Sequence, residues 1–175
     1  MTAPLIIPAS ALAPAPDCCG SVVPPAGAAD ASIVTNDRWF PDIELAHFRS
    51  QARIRDSVTV DRQRGAIIGA IMTVGNDLVA WAAARRTAGA ASLATVIDVP
   101  NLVLDGEPAL IHLYRRAVYA YAKADLVERY RDIDTTTAGL RKSEDLDASV
   151  EELRRDGTWA VRDMLGHTRT TVELI

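Results

Sequence analysis

The chain has 175 residues, 49% of them apolar, with a formal charge of −4 and a pI near 5.3. That length fits one domain with a core of moderate size. The acidic balance argues against nucleic-acid binding through a dominant basic surface, because neutralising phosphates takes clustered lysine and arginine.

His47, His112 and His167 lie far apart, and the only cysteines are the vicinal Cys18 and Cys19. A structural zinc site takes about four ligands in closely spaced pairs, so neither a metal nor a cofactor is expected. Adjacent cysteines bridge each other only with strain, so two free thiols are expected. No run approaches the roughly 20 apolar residues of a membrane span, and no membrane segment is expected. The opening MTAPLIIPASALAPAP lacks a basic start and is interrupted by Pro8, Pro14 and Pro16, so it is not read as an export signal.

Residues 1–32 are dominated by Ala and Pro and hold six of the nine prolines. No helix propagates through such a segment. A flexible arm is expected, with Leu5, Ile6, Ile7, Val22 and Val23 also compatible with an extended strap on a neighbouring subunit. Residues 33–166 are expected to form the ordered domain, a mainly α bundle of about four helices. The first helix follows Trp39 and Phe40, is capped by Asp42, runs to about Arg53 and turns Leu45 and Phe48 inward. The second starts at Thr59 and ends near Gly89, with Ile67, Ile68, Ile71, Val74, Leu78 and Trp81 as its inward stripe. Gly65, Gly69 and Gly75 within it predict close helix packing, since each costs up to about 1 kcal/mol relative to Ala.

The connection 90–106 is long for a helical hairpin and carries Pro100, a turn-like Asp105-Gly106 and one short turn or strand near Leu93 to Ile97. The third helix is predicted from Pro108, with Glu107 complementing its dipole. Leu110, Leu113, Ala117, Tyr121 and Ala124 form one stripe, and Tyr114, Val118 and Leu126 widen the apolar surface to two sides. Tyr114, Val118, Tyr121 and Leu126 are therefore candidates for a subunit interface or core helix. Arg115, Arg116, Lys123, Glu128 and Arg129 read as a solvated face, and His112 as an imidazole bonded to a neighbour. After a break at Thr135 to Gly139, a fourth helix carries Leu146, Val150, Leu153, Gly157, Val161 and Met164 inward, with Gly166 at its end. Trp81 and Trp159 are expected as core anchors.

The extended tail 167–175 turns β-rich. Arg169, Thr170, Thr171, Val172, Glu173, Leu174 and Ile175 are candidates for strand addition to a partner's sheet edge. Carboxylates such as Glu128, Asp132, Asp134, Glu144, Asp145 and Asp147 are interleaved with arginine and lysine, which makes ion pairs rather than an acid–base site. No nucleophile–base set and no phosphate-cradling GxxxxGK[ST] or GxGxxG motif is present, so no enzyme is expected.

Five segments in order resemble the head completion proteins of tailed phages of the P2 type: FPDIELAHFR, SVTVDRQRGAIIGAI, NDLVAWAAARRTAG, LIHLYRRAVYAYAKADLVERYRDID, and ELRRDGTWAVRDMLG with the RTTVELI tail. The resemblance runs from Trp39 to Ile175 and rests on order and spacing. It implies a structural virion protein of the head–tail junction, made in the host cytoplasm. Such a protein docks on the portal protein after DNA packaging, seals the head and offers a platform to a tail completion or terminator protein. It further implies self-association into a ring of about twelve copies through two different lateral faces, with capsid protein as a further contact. An acidic ring would let DNA slide through its lumen without gripping phosphates. The alternatives are a helical DNA-binding or regulatory adaptor, which would want a recognition helix and basic face, and a tail terminator protein, which would want mostly β structure.

Overall fold

In the computed structural model, residues 32–97, 102–131 and 149–167 are described. Strand β1 (Ile33–Val34) pairs antiparallel with β2 (Ile43–Glu44), and helix α1 (Leu45–Ala52) follows directly. Helix α2 (Val60–Thr87) leads to a single 3-10 turn at Leu93–Thr95. A hairpin of β3 (Val103–Leu104) and β4 (Glu107–Pro108) then feeds α3 (Ala109–Arg131), and α4 (Val150–Met164) ends the described fold. The described residues thus form the mainly α, four-helix arrangement that the periodicity predicts.

Helix α3 is the central element, packing most extensively on α4 and α2. Ile111, Tyr114, Ala117, Val118, Tyr119, Ala122 and Leu126 are all buried along it. Both sides of this helix are therefore core. Leu45 and Phe48 of α1 point inward as expected, as do Ile67, Val74 and Leu78 of α2. A smaller cluster of Ala124, Val150 and Leu153 joins the far end of α3 to the start of α4.

The approach to α1 is built differently from the expected cap. Glu44 occupies the cap position without a side-chain bond, while the Asp42 carboxylate accepts the Asn36 N–H at 2.7 Å. Pairing of Ile43–Glu44 with β1 carries the chain past Asp42 before the helix begins. Asp37 organises the preceding turn: its Oδ1 accepts the Trp39 and Phe40 N–H groups, both at 3.0 Å, and its Oδ2 accepts Arg86. Burial works to raise the Asp37 carboxyl, but the Phe40 N–H, Arg86 and the Trp39 N–H together hold it below its usual value. The turn drives Trp39 and Phe40 into the core. Trp39 lies edge-on to Trp81 with ring centres 6.1 Å apart, and its Nε1 donates to Ala90 O at 3.0 Å.

Several sequence expectations change. Helix α3 starts at Ala109, one residue after Pro108, because Glu107–Pro108 pair with β3; the Glu107 carboxylate goes to Arg115, two turns along, rather than to the helix terminus. The Asp105-Gly106 turn does form, both residues taking positive φ (50° and 78°). Helix α4 begins with a capping box in which the Glu152 N–H donates to Ser149 Oγ (3.2 Å) and the Ser149 N–H donates to the Glu152 carboxylate (2.9 Å). Its predicted inward residue Leu146 lies outside the described residues. Gly166 takes φ +72° just beyond the helix end, where its N–H donates to Asp163 O. Trp159 is only half-buried, with Arg155 lying over its ring at 5.0 Å, because it falls beside the buried line Gly157, Ala160 and Val161 rather than on it.

Helix α2 departs most. Its 28 residues are long and apolar enough to cross a membrane, contrary to the expectation that no segment reaches that length. Thr73, Asn76 and Asp77 break the stretch from Gly65 to Ala84, so it holds no unbroken run of that length, but its mean hydropathy is high. Ile68, placed on the inward stripe by periodicity, is exposed. A Cβ on Gly65, Gly69 or Gly75 would meet nothing within 4 Å, so the close packing expected of them does not occur within the subunit. The closely packed glycine is Gly157 on α4, where a Cβ would lie 2.9 Å from the Tyr121 ring.

Candidate functional site

The predicted portal-binding tail, Arg169 to Ile175, lies outside the described residues, which end at His167 just after α4. The four α3 candidates are all placed. Tyr114 is fully buried: its ring stacks on Phe40 with centres 4.7 Å apart, and its hydroxyl accepts Asn36 Nδ2 at 2.7 Å. Burial pushes that phenol up to about 12, so it stays protonated through the neutral range. Val118 and Leu126 are buried with it. Tyr121 is half-buried against Gly157, its hydroxyl 3.1 Å from Thr158 Oγ1. Tyr114, Val118 and Leu126 thus pack inside the protein as core-helix residues, while Tyr121 keeps a part-exposed edge.

Ion pairs join α3 to α4, among them Arg154 with Glu128 (2.5 Å) and Arg116 with Asp156 (3.8 Å). All four side chains are about half exposed, so each pair contributes less than about 1 kcal/mol. The charges that read as a solvated face in sequence thus also align the two helices.

A cleft of about 720 Å³ opens where α1, the hairpin, α3 and α4 meet, lined by His47, Arg53, Glu107, Arg115, Tyr119 and Asp156 among others. His47 Nδ1 lies 2.6 Å from the Tyr119 hydroxyl, and His112 Nε2 donates to Leu104 O at 2.9 Å. The hydrogen bond from Arg115 is the main cause that holds the Glu107 carboxyl below its usual value, and burial pushes the Tyr119 phenol up to about 12. The ion pair and the histidine bonds fix the hairpin and α1 to α3. Among the described residues no three His, Cys, Asp or Glu side chains gather as a metal site.

Among the described residues, Val60 and Ile97 are exposed singly, and the other exposed large apolar side chains fall on two surfaces. One is the open side of α2, where Met72 and Val79 are 64% and 65% exposed and Ile68 is 43% exposed. The other is the hairpin, where Leu102, Val103 and Leu104 are about half exposed. Periodicity missed the first because it assigned Ile68 to the inward stripe. Met72 and Val79 stand off that stripe, which was the available signal.

The phage head completion protein (GPL) family matches residues 34–175. The chain is 36% identical over 156 residues to the head completion/stabilization protein of Escherichia phage P2, covering 89% of this chain and 90% of that protein. It is 26% identical over 146 residues to the probable head completion/stabilization protein of Haemophilus phage HP1, covering 83% and 94% respectively. No solved structure matches the chain. The match over most of its length, carried by the helical subunit described above, places the chain in the phage head completion protein family.

Proposed function

We propose that this chain is a connector of the virion's head–tail junction. It docks on the portal protein once DNA is packaged, closes the filled head and presents a platform to a tail completion or terminator protein. It works as a ring of about twelve copies, matching the portal, with capsid protein as a further neighbour and DNA passing through the lumen. It acts as a structural part without a chemical step, a cofactor or a membrane. What carries this reading is the near full-length similarity to the P2 head completion/stabilization protein.

In this reading the protein is made in the host cytoplasm, residues 1–32 are an arm, 33–166 the connector domain and 167–175 the portal-binding tail. The tail's Thr170, Thr171, Val172, Leu174 and Ile175 favour an extended chain that adds to a sheet edge of the portal. Deleting residues 169–175 is expected to leave a domain with unchanged helical content that no longer co-sediments with DNA-filled, portal-bearing heads. Normal incorporation of the truncated protein would remove the tail from this account.

A further inference from the structure

We infer that the exposed side of α2 receives the β3–β4 hairpin of a second copy of this chain, giving a head-to-tail contact between neighbours. The inference deepens the ring reading above by naming the two surfaces that meet. Three observations carry it.

The first is that one chain bears two uncovered apolar patches of different shape. Ile68, Met72 and Val79 form a long strip on a helix; Leu102, Val103 and Leu104 form a compact projection on a hairpin. In each subunit both are exposed, so neither covers the other. A contact between two unlike patches of one chain is heterologous, and it repeats from copy to copy, as a ring requires. A contact of α2 with α2 would instead be isologous, leave the hairpin uncovered and stop at a pair.

The second is the charge pattern. From Gly65 to Ala84, about 28 Å of helix, Asp77 is the one ionisable residue of α2. The hairpin residues 102–104 carry none; Asp105 lies in its turn, and Glu107 on β4 is paired with Arg115. Desolvating these surfaces against each other strands few charges. The six large side chains together expose on the order of 500 Å² of apolar surface, and the alanines and threonine along α2 extend this towards the ~1,000 Å² of a specific interface.

The third is the pair Gly65 and Gly69, one turn apart on the exposed side beside Ile68 and Met72. Among the described residues nothing lies within 4 Å of a Cβ at either position, so their packing does not require glycine there. A hairpin backbone seated there would use the absence of their side chains.

The test uses the full-length chain with Cys18→Ser and Cys19→Ser, carrying either Met72→Cys or Val103→Cys, and a short bis-maleimide cross-linker. Mixing the two variants is expected to give covalent dimers at roughly tenfold or more the yield of either alone, and a chain carrying both cysteines is expected to give a ladder. Gly69→Leu, whose Cβ meets nothing within 4 Å among the described residues, is expected to suppress the mixed dimer while leaving thermal unfolding in place. Three results would overturn the contact: dimers from Met72→Cys alone, mixed dimers only after residues 1–31 are deleted, or no interchain product at all. Binding of the same variants to filled heads is scored separately, so loss of this contact and loss of the connector reading are distinguishable.

Discussion

Tyr114→Ala is expected to destabilise the subunit by about 3–5 kcal/mol, the range for removing a fully buried aromatic ring. The ring sits at the centre of the fold, stacked on Phe40 from the segment before α1, and its loss opens a cavity beside α3. Tyr114→Phe separates the two contributions. It keeps the stack and removes only the hydroxyl, leaving Asn36 Nδ2 with the Pro41 carbonyl at 3.4 Å, so its cost is about 1–2 kcal/mol. Urea unfolding followed by tryptophan fluorescence measures both, since Trp39 lies beside Phe40 with ring centres 4.8 Å apart. Equal losses for the two variants would show that the ring's packing contributes little.

Gly157→Leu is expected to cost about 2–3 kcal/mol by overpacking the α3–α4 contact. A Cβ there would lie 2.9–3.0 Å from three atoms of the Tyr121 ring, so the ring or the whole of α4 must move. Gly157→Ala costs less, because it adds only the Cβ, and the gain of about 1 kcal/mol in helix propensity over glycine, which Leu nearly shares, offsets part of that smaller clash. The cause is identified by a double-mutant cycle. If the Tyr121 ring is the obstacle, Tyr121→Ala destabilises the Gly157→Leu protein by less than it destabilises the unsubstituted one. Additive losses would place the strain elsewhere.

Much of the fold was legible in the sequence because α2, α3 and α4 are long periodic segments with punctuated ends. The stretch Leu110 to Leu126 read as apolar on two sides, and α3 is buried on two sides. What escaped the sequence depends on contacts between distant residues. Asp42 looked like a helix cap, but Asn36 takes its carboxylate and strand pairing delays α1. The two-residue strands are set by long-range pairing, which no local pattern displays. Glycine in a helix signals that something approaches closely without saying what: Gly157 is packed by Tyr121, whereas Gly65, Gly69 and Gly75 are open. Likewise, apolar residues at helical spacing mark a buried face without distinguishing burial in the subunit from burial against a neighbour, and Ile68 fell on that ambiguity. Among the candidate site residues, the Tyr114 group became core because α3 is enclosed by α2 and α4, while the exposed apolar residues of α2 and the hairpin emerged only from the structure.

The central claim is that this protein joins the filled head at its portal. The most direct measurement mixes the purified full-length chain with DNA-filled, portal-bearing heads assembled without it, and follows the bound amount by sedimentation as concentration rises. Saturation at about twelve copies per head, and no binding to heads lacking a portal, is the predicted result. Failure to bind filled heads, with binding to duplex DNA instead, would contradict the connector account.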